Sequence, residues 1–471
     1  MCGLIAHRGF ESRPLRQDGY KPLIWKLNFT IKGFFVFPCA VFIGWLGTIA
    51  VDSIQCMRNC RIPFLHHART FKTGGSATNG TSRQFHLQAG IMTTPGSTSA
   101  NFSLGSQKFV TEPMSVYLDF LRFLAALAVL FGHMEQYGLY MSWMPLHRFS
   151  HDAVIIFFVI SGLIIRTTTI EKNRGALDYA IARAARIYSV AIPAIIFSIL
   201  AATAVPLLQK YTNQPPPSVY FQPNSWSTFS SLLFLNESWS TSTSLPLNSP
   251  YWSLCYEVWY YFLFGAYVYS SSRIRWPLLG MLAIITGPSI LLLFPIWLAG
   301  AALSAGFQST ASRWSPRTAS FIFLFTIICL ISIEATNLDI TVRTWLKTTI
   351  PAVWRLGASQ RFMTDYLVGG MIFLNILAYS RLPASIHTKL TRHRNIFKYL
   401  AGFSFTLYLF HFPIIVILGW LYPNSGHSLA YSLIAALGTL AACLGISYLT
   451  ERQLPHWKRI LTKFSAPLVR T

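Results

Sequence analysis

The sequence predicts an all-α, polytopic membrane bundle of about ten transmembrane helices, with a possible extra one in an N-terminal extension. Three observations predict it. Hydrophobic residues fill 53% of the 471 positions, and charged residues only 11%; soluble domains carry about 25% charged residues. Mean hydropathy is +0.44. Apolar runs near the span length of roughly 20 residues recur along the chain. A prior of roughly 150 residues per domain therefore does not translate into three soluble domains.

The formal net charge is +23. In a soluble chain that suggests nucleic acid. Here the basic residues fall in short clusters between apolar runs, as expected of cytoplasmic loops. No basic and aromatic stripe or nucleic-acid motif is present, so no nucleic-acid partner is expected. Of the seven cysteines, Cys255, Cys329 and Cys443 lie in apolar runs and read as small hydrophobes. Cys56 and Cys60 are too isolated for a metal set or a disulfide framework. No metal ligands are expected.

Residues 1–113 form a distinct extension. One apolar run, about 33–51, is just long enough to span. Lys26 and Lys32 precede it and Arg58 and Arg61 follow, leaving its orientation open. It reads as an extra helix, an uncleaved anchor or a start-site artefact. The stretches GGSATNGTS and TTPGSTSANFS behind it read as flexible linker.

A membrane domain over 114–460 follows. Its runs lie near 114–139, 152–168, 187–207, 250–270, 276–293, 295–308, 318–334, 364–380, 396–422 and 429–450. The fifth and sixth are joined by a tight turn at Pro295 and are also readable as one broken helix. Loops at 169–186 and 381–398, residues Arg273, Arg275, Arg313 and Arg317, and a short basic tail at 461–471 mark the cytoplasmic side. The Ser-, Asn- and Trp-rich loop at 208–249 belongs outside. So does 335–363, although it carries several cations that weaken the rule there.

Polar residues inside the spans carry the functional signal. The first span contains LDFLRFLAALAVLFGH. Eleven helical steps separate Arg122 from His133, which is about 20° around the axis and roughly 16 Å along it. Asp119 stands three residues before Arg122, at ion-pair spacing. Ionisable groups at this depth usually face a bundle interior or a wet cavity. The run SPYWSLCYEVWYYFLF holds Glu257, with Ser253 one turn earlier. A bare carboxylate there needs a cationic or hydrogen-bonding partner, and Arg122 and His133 are candidates. FSFTLYLFHFPII holds Tyr408 and His411, and DYAIARAARIYSV holds Arg183 and Arg186 at i, i+3. Two arginines on one face suit bidentate phosphate contacts. The competing architectural readings are a satisfied core histidine, a structural ion pair and a positive-inside anchor.

Together these residues resemble the integral-membrane acyltransferase 3 family, O-acyltransferases that modify surface glycans. The likeness runs from about Tyr117 to Arg459. LDFLRFLAALAVLFGH is similar to the family's opening, FFVISG (with Ser161 and Gly162) to its second box, and RAARIY to its basic entry to the third span. WSLCYEVWYY, SFTLYLFHFP and ERQLPHWKR follow in order. Ser189 replaces the proline that often follows Arg-x-Tyr, and residues 1–113 have no counterpart. The resemblance implies transfer of an acyl group, commonly acetyl, from acyl-CoA as co-substrate to a carbohydrate or lipid-linked glycan such as a lipopolysaccharide or polysaccharide. No bound cofactor is implied, and the expected location is the plasma (inner) membrane. Under it, His133 acts as general base or as covalent acyl carrier. Glu257 orients His133 in the manner of a triad acid. Arg122, Arg183 and Arg186 hold donor phosphates, with Asp119, Ser161, Ser253, Tyr408 and His411 in support. The alternative reading is a transporter or flippase using the same charges as a proton or solute path.

Overall fold

The computed structural model describes residues 108–140, 148–170, 175–212, 214–239, 243–304, 311–423 and 425–465. The expected helix at 33–51 and the linker lie outside these residues, as do residues 466–471 of the expected tail. Among the described residues the regular elements are helices: α1 (Glu112–Gln136), α2 (Ser150–Ile170), α3 (Ala176–Thr212), α4 (Ser225–Leu232), α5 (Trp252–Tyr269), α6 (Ser272–Leu303), α7 (Pro316–Ala335), α8 (Leu338–Thr349), α9 (Phe362–Tyr379), α10 (Ala384–Thr391), α11 (Arg394–Ala401), α12 (Ser404–Leu421), α13 (Leu429–Ser447) and α14 (Leu454–Ser465). No strand occurs among the described residues, and eight segments are long and apolar enough to cross a membrane. The all-α polytopic expectation is met.

Local chemistry sets several boundaries. α1 begins with Glu112 and Pro113 in its first turn, where an acid suits the helix dipole and proline loses no helical hydrogen bond. Beyond its C-terminus Gly138 takes φ 69°, a left-handed conformation that glycine adopts without a steric penalty. Gly402 divides the expected run at 396–422 into α11 and α12. α5 is absent from the eight apolar segments because its tyrosines and tryptophans lower its hydropathy. Most of it is nevertheless buried.

The runs expected at 276–293 and 295–308 form one chain segment, α6, broken at Gly287 (φ 74°, ψ 178°) rather than at Pro295. Its two arms run in opposite directions. The first starts beside the end of α5, and the break meets Trp239, whose backbone N donates to the Thr286 carbonyl. The second arm ends at Ser304, which accepts from Arg166 at the far end of α2. Pro288 follows the break in the first turn of that arm, where its missing N–H is harmless. Pro295 stays inside the helix. Carbonyls around it are used by hydroxyls, with Tyr260 donating to Ile290 O at 2.9 Å and Tyr366 to Leu292 O at 2.5 Å. Packed between neighbouring helices, a membrane helix tolerates proline.

α2 and the second arm of α6 form the closest contact in the bundle. A Cβ on Gly162 would fall 1.9 Å from the Trp297 carbonyl oxygen, and one on Gly300 would fall 2.0 Å from the Val159 carbonyl oxygen. Backbones this close admit only glycine. The Gly162→Ala variant is therefore expected to lose at least the 1–3 kcal/mol or so typical of overpacking. Thermal unfolding of detergent-purified protein checks this; an unchanged midpoint would show that the helices separate freely.

The bundle has two chemically different ends. One carries Arg166, Arg186, Lys398 and Lys458, and there Arg394 pairs with Glu112 at 2.6 Å. At the other end Arg361 gathers four acids from four helices. Its guanidinium lies 3.0 Å from Asp152, 3.4 Å from Glu334, 3.6 Å from Asp339 and 3.8 Å from Asp365. His151 stands 3.1 Å from Asp365. Asp152, Asp339 and Asp365 each occupy the first turn of a helix, so helix N-termini share the neutralisation. This accounts for two of the four cations in 335–363: Arg343 and Arg361 are engaged by buried acids. Nearby, burial pushes the Glu237 carboxyl up to about 7. α14 runs through Leu454–Ser465, so the tail expected from 461 begins inside a helix.

Candidate active site

A cavity of about 630 Å³ opens among α1, α2, α3, α5, α11, α12 and α14. Eight of the ten residues singled out from the sequence line it: Asp119, Arg122, Ser161, Arg183, Arg186, Ser253, Glu257 and Tyr408. His133 and His411 do not. The cavity reaches Ser253 and Tyr408, and His411 lies three residues beyond Tyr408 on α12.

The three arginines have different company. Arg122 pairs with Asp119 at 3.4 Å, the local pair expected at i, i+3. Arg186 pairs with Glu451 at 2.7 Å. The other oxygen of Glu451 accepts from the backbone N of Thr406 at 3.2 Å, so one carboxylate ties α3 to the first turn of α12. Arg183 has no carboxylate partner among the described residues. Its guanidinium lies over the Tyr261 ring at 5.9 Å, and its buried Nε makes no hydrogen bond there. Lys398 and Lys458 also line the cavity. The basic side chains therefore outnumber Asp119, Glu257 and Glu451 on its walls.

Glu257 is held by a relay. Trp297 Nε1 donates to Ser161 Oγ at 3.2 Å, Ser161 Oγ lies 3.3 Å from Tyr261 Oη, and Tyr261 donates to Glu257 Oε1 at 2.5 Å. The serine of the FFVISG box thus supports the carboxylate of the WSLCYE box, and the adjacent glycine lets α6 bring Trp297 close enough to take part. Ser253 Oγ and Tyr408 Oη are 2.6 Å apart, and Tyr408 donates to the Pro250 carbonyl at 3.1 Å.

The histidines pair with each other. His133 Nδ1 lies 2.9 Å from His411 Nε2, and His411 Nδ1 lies 2.8 Å from the Leu407 carbonyl oxygen. Phe412 packs edge-on to His133 with ring centroids 4.8 Å apart. A direct contact between Glu257 and His133 is not found among the described residues. The hydrogen bond of Glu257 goes to Tyr261, one turn along its own helix, while His133 is met by a residue 278 positions away.

The sequence reading passed over Tyr261, Trp297, Lys398, Lys458 and the ion pair of Glu451. Tyr261 carried a readable signal, since it stands four residues after Glu257, the spacing at which helical side chains meet. Glu451 carried another, as an acid after the last apolar run and just before a basic amphipathic helix. Trp297 carried none.

A family model described as an acyltransferase domain matches residues 115–449. No curated protein and no solved structure matches the chain. The match covers α1 to α13 and every residue of the cavity except Glu451, Leu454 and Lys458. The chain belongs to the acyltransferase 3 family and is a membrane acyltransferase.

Proposed function

We propose that this protein moves an acyl group, acetyl above all, from acyl-CoA to a hydroxyl of a carbohydrate or glycolipid. The observation that carries the reading is one cavity that joins five basic side chains to hydroxyls lying one helical turn from a histidine pair. A CoA thioester needs both features: cations for its phosphates, and a base near its carbonyl for the incoming alcohol.

In this reading Arg183 takes the first phosphate, because it alone of the three arginines has no carboxylate to give up. Guanidinium groups bind phosphate with paired N–H donors. Lys398 and Lys458 attract the remaining charge. Glu257 Oε2, which takes no hydrogen bond among the described residues, accepts from the donor's amide or from the acceptor. His133 takes the proton of the acceptor hydroxyl as its oxygen attacks the thioester carbon. The C–O bond forms, the C–S bond breaks, and the proton passes from His133 to the departing CoA sulfur. The basic end faces the cytoplasm, by the loop charges, and the glycan approaches from the opposite end.

Mass spectrometry of surface glycans from cells with and without the gene tests this. The expected result is loss of one acetyl increment when the gene is removed. A second assay measures thiol release from acetyl-CoA by purified protein in detergent with the acceptor present. Turnover without a sealed membrane excludes pure transport. An unchanged glycan profile together with no thiol release would sink the proposal.

A further inference from the structure

We infer that His411 is a positioning residue that fixes the tautomer of His133 and leaves Nε2 as its basic nitrogen. The inference rests on the reading of His133 as the base. It follows from two contacts and the donor rules of imidazole. The Leu407 carbonyl can only accept, so the hydrogen in the 2.8 Å contact belongs to His411 Nδ1. A neutral His411 then presents a lone pair at Nε2. The hydrogen in the 2.9 Å contact must therefore be on His133 Nδ1. That leaves the lone pair of His133 at Nε2, a nitrogen with no hydrogen-bond partner among the described residues.

The other assignment makes His411 an imidazolium donating from both nitrogens. It places a charge on a side chain 1% exposed, and no carboxylate acts on either ring among the described residues. Such a charge within an apolar bundle costs several kcal/mol, so the neutral pair is the resting state. Backbone geometry reinforces it. His411 reaches the carbonyl four residues earlier on its own helix, and α12 is anchored by Asn248, which donates to the Leu409 carbonyl at 2.9 Å. Pro413 has no N–H for that carbonyl, so the sequence leaves it open for Asn248.

The arrangement gives the base a neutral counterpart of the acid in a triad. When an acceptor hydroxyl attacks an acyl-CoA thioester, its proton goes to His133 Nε2. The Nδ1–H bond to His411 then becomes charge-assisted and stronger. No proton need move to His411. When the C–S bond breaks, the Nε2 proton leaves with the sulfur, and the pair returns to its starting tautomer.

Three variants of the full-length protein test this: His411→Leu, His411→Met and His411→Gln. Leu and Met remove the acceptor, while the Gln carbonyl oxygen can receive the His133 Nδ1–H. Thiol release from acetyl-CoA is measured at saturating acceptor, with thermal unfolding as a folding control. The expected kcat is about 10- to 100-fold lower for Leu and Met, the loss of one charge-assisted hydrogen bond, with KM for acetyl-CoA within about threefold. Gln is expected to restore kcat to within about threefold of the parent. Met stands in if Leu does not accumulate, because it fills irregular core space. Equal losses in Leu, Met and Gln, or no loss in Leu and Met, would overturn the positioning role. If those variants stay active while His133→Ala is dead, only this inference fails. If His133→Ala is active, the reading beneath it fails.

Discussion

Replacing His133 with alanine is expected to lower acyl transfer by about 10²- to 10⁴-fold, the range that general acid–base catalysis contributes. The protein is expected to insert and accumulate normally. His133 is half-buried, packs against the rings of Phe412 and His411, and hydrogen-bonds only to His411 among the described residues. Its removal therefore takes away chemistry more than packing. The cavity's cations lie elsewhere, so binding of acetyl-CoA is expected to persist and the loss to fall on kcat. Thiol release and acetyl-CoA binding, measured on the same detergent preparation, separate the two. A variant that kept more than a tenth of the parental kcat would remove His133 from the reaction.

Replacing Arg361 with methionine is expected to give the largest loss of stability. Four carboxylates, with side chains between 0% and 12% exposed, converge on this one guanidinium. Removing one partner of a buried ion pair costs about 3–5 kcal/mol, because the remaining charge stays buried without compensation. Here the stranded charge belongs to α2, α7, α8 and α9 together, so the end of the bundle opposite the cavity's basic side chains is expected to loosen. A lower unfolding temperature and poor recovery in detergent are the readouts. Arg361→Lys is expected to fall between methionine and the parent. An ammonium keeps the charge, but it lacks the planar fork that touches several acids at once. If the methionine variant unfolded at the parental temperature, the cluster would have no structural weight.

The sequence made the all-α class legible because span length and apolar periodicity are local properties. The Arg122 and Asp119 pair was legible for the same reason. Three residues on a helix always share a face, and the pair is found at 3.4 Å. The turn within 276–308 was legible in kind and misplaced in position. Pro295 suggests a break, yet a proline alone can remain inside a helix packed between its neighbours. Gly287 and Pro288 together break the chain, and that dipeptide is itself a turn signal.

The cavity was half legible. Arg183, Arg186, Ser253, Glu257 and Tyr408 stand out as polar residues in or beside apolar runs, Ser161 stands out through the FFVISG box, and the fold brings all six to one cavity. Of their pairings only the local one, Glu257 with Tyr261 four residues on, is legible. Glu451 takes Arg186, Tyr261 takes Glu257 and His411 takes His133. Two of these three partners lie hundreds of positions apart in the chain, where periodicity carries no information.

Read alone, the amino-acid order shows a helical membrane protein, puts Arg122 and His133 on one helix face, and places the acyltransferase boxes in their order. Helix packing settles which group meets His133, which arginine has no carboxylate among the described residues, and where Arg361 collects its acids. The physical reason is one of range. Helix formation and amphipathic placement depend on neighbours within about four residues, whereas the pairing of buried charges and imidazoles depends on which helices pack together. In this bundle that packing is set by close backbone contacts such as Gly162 on Trp297 and Gly300 on Val159.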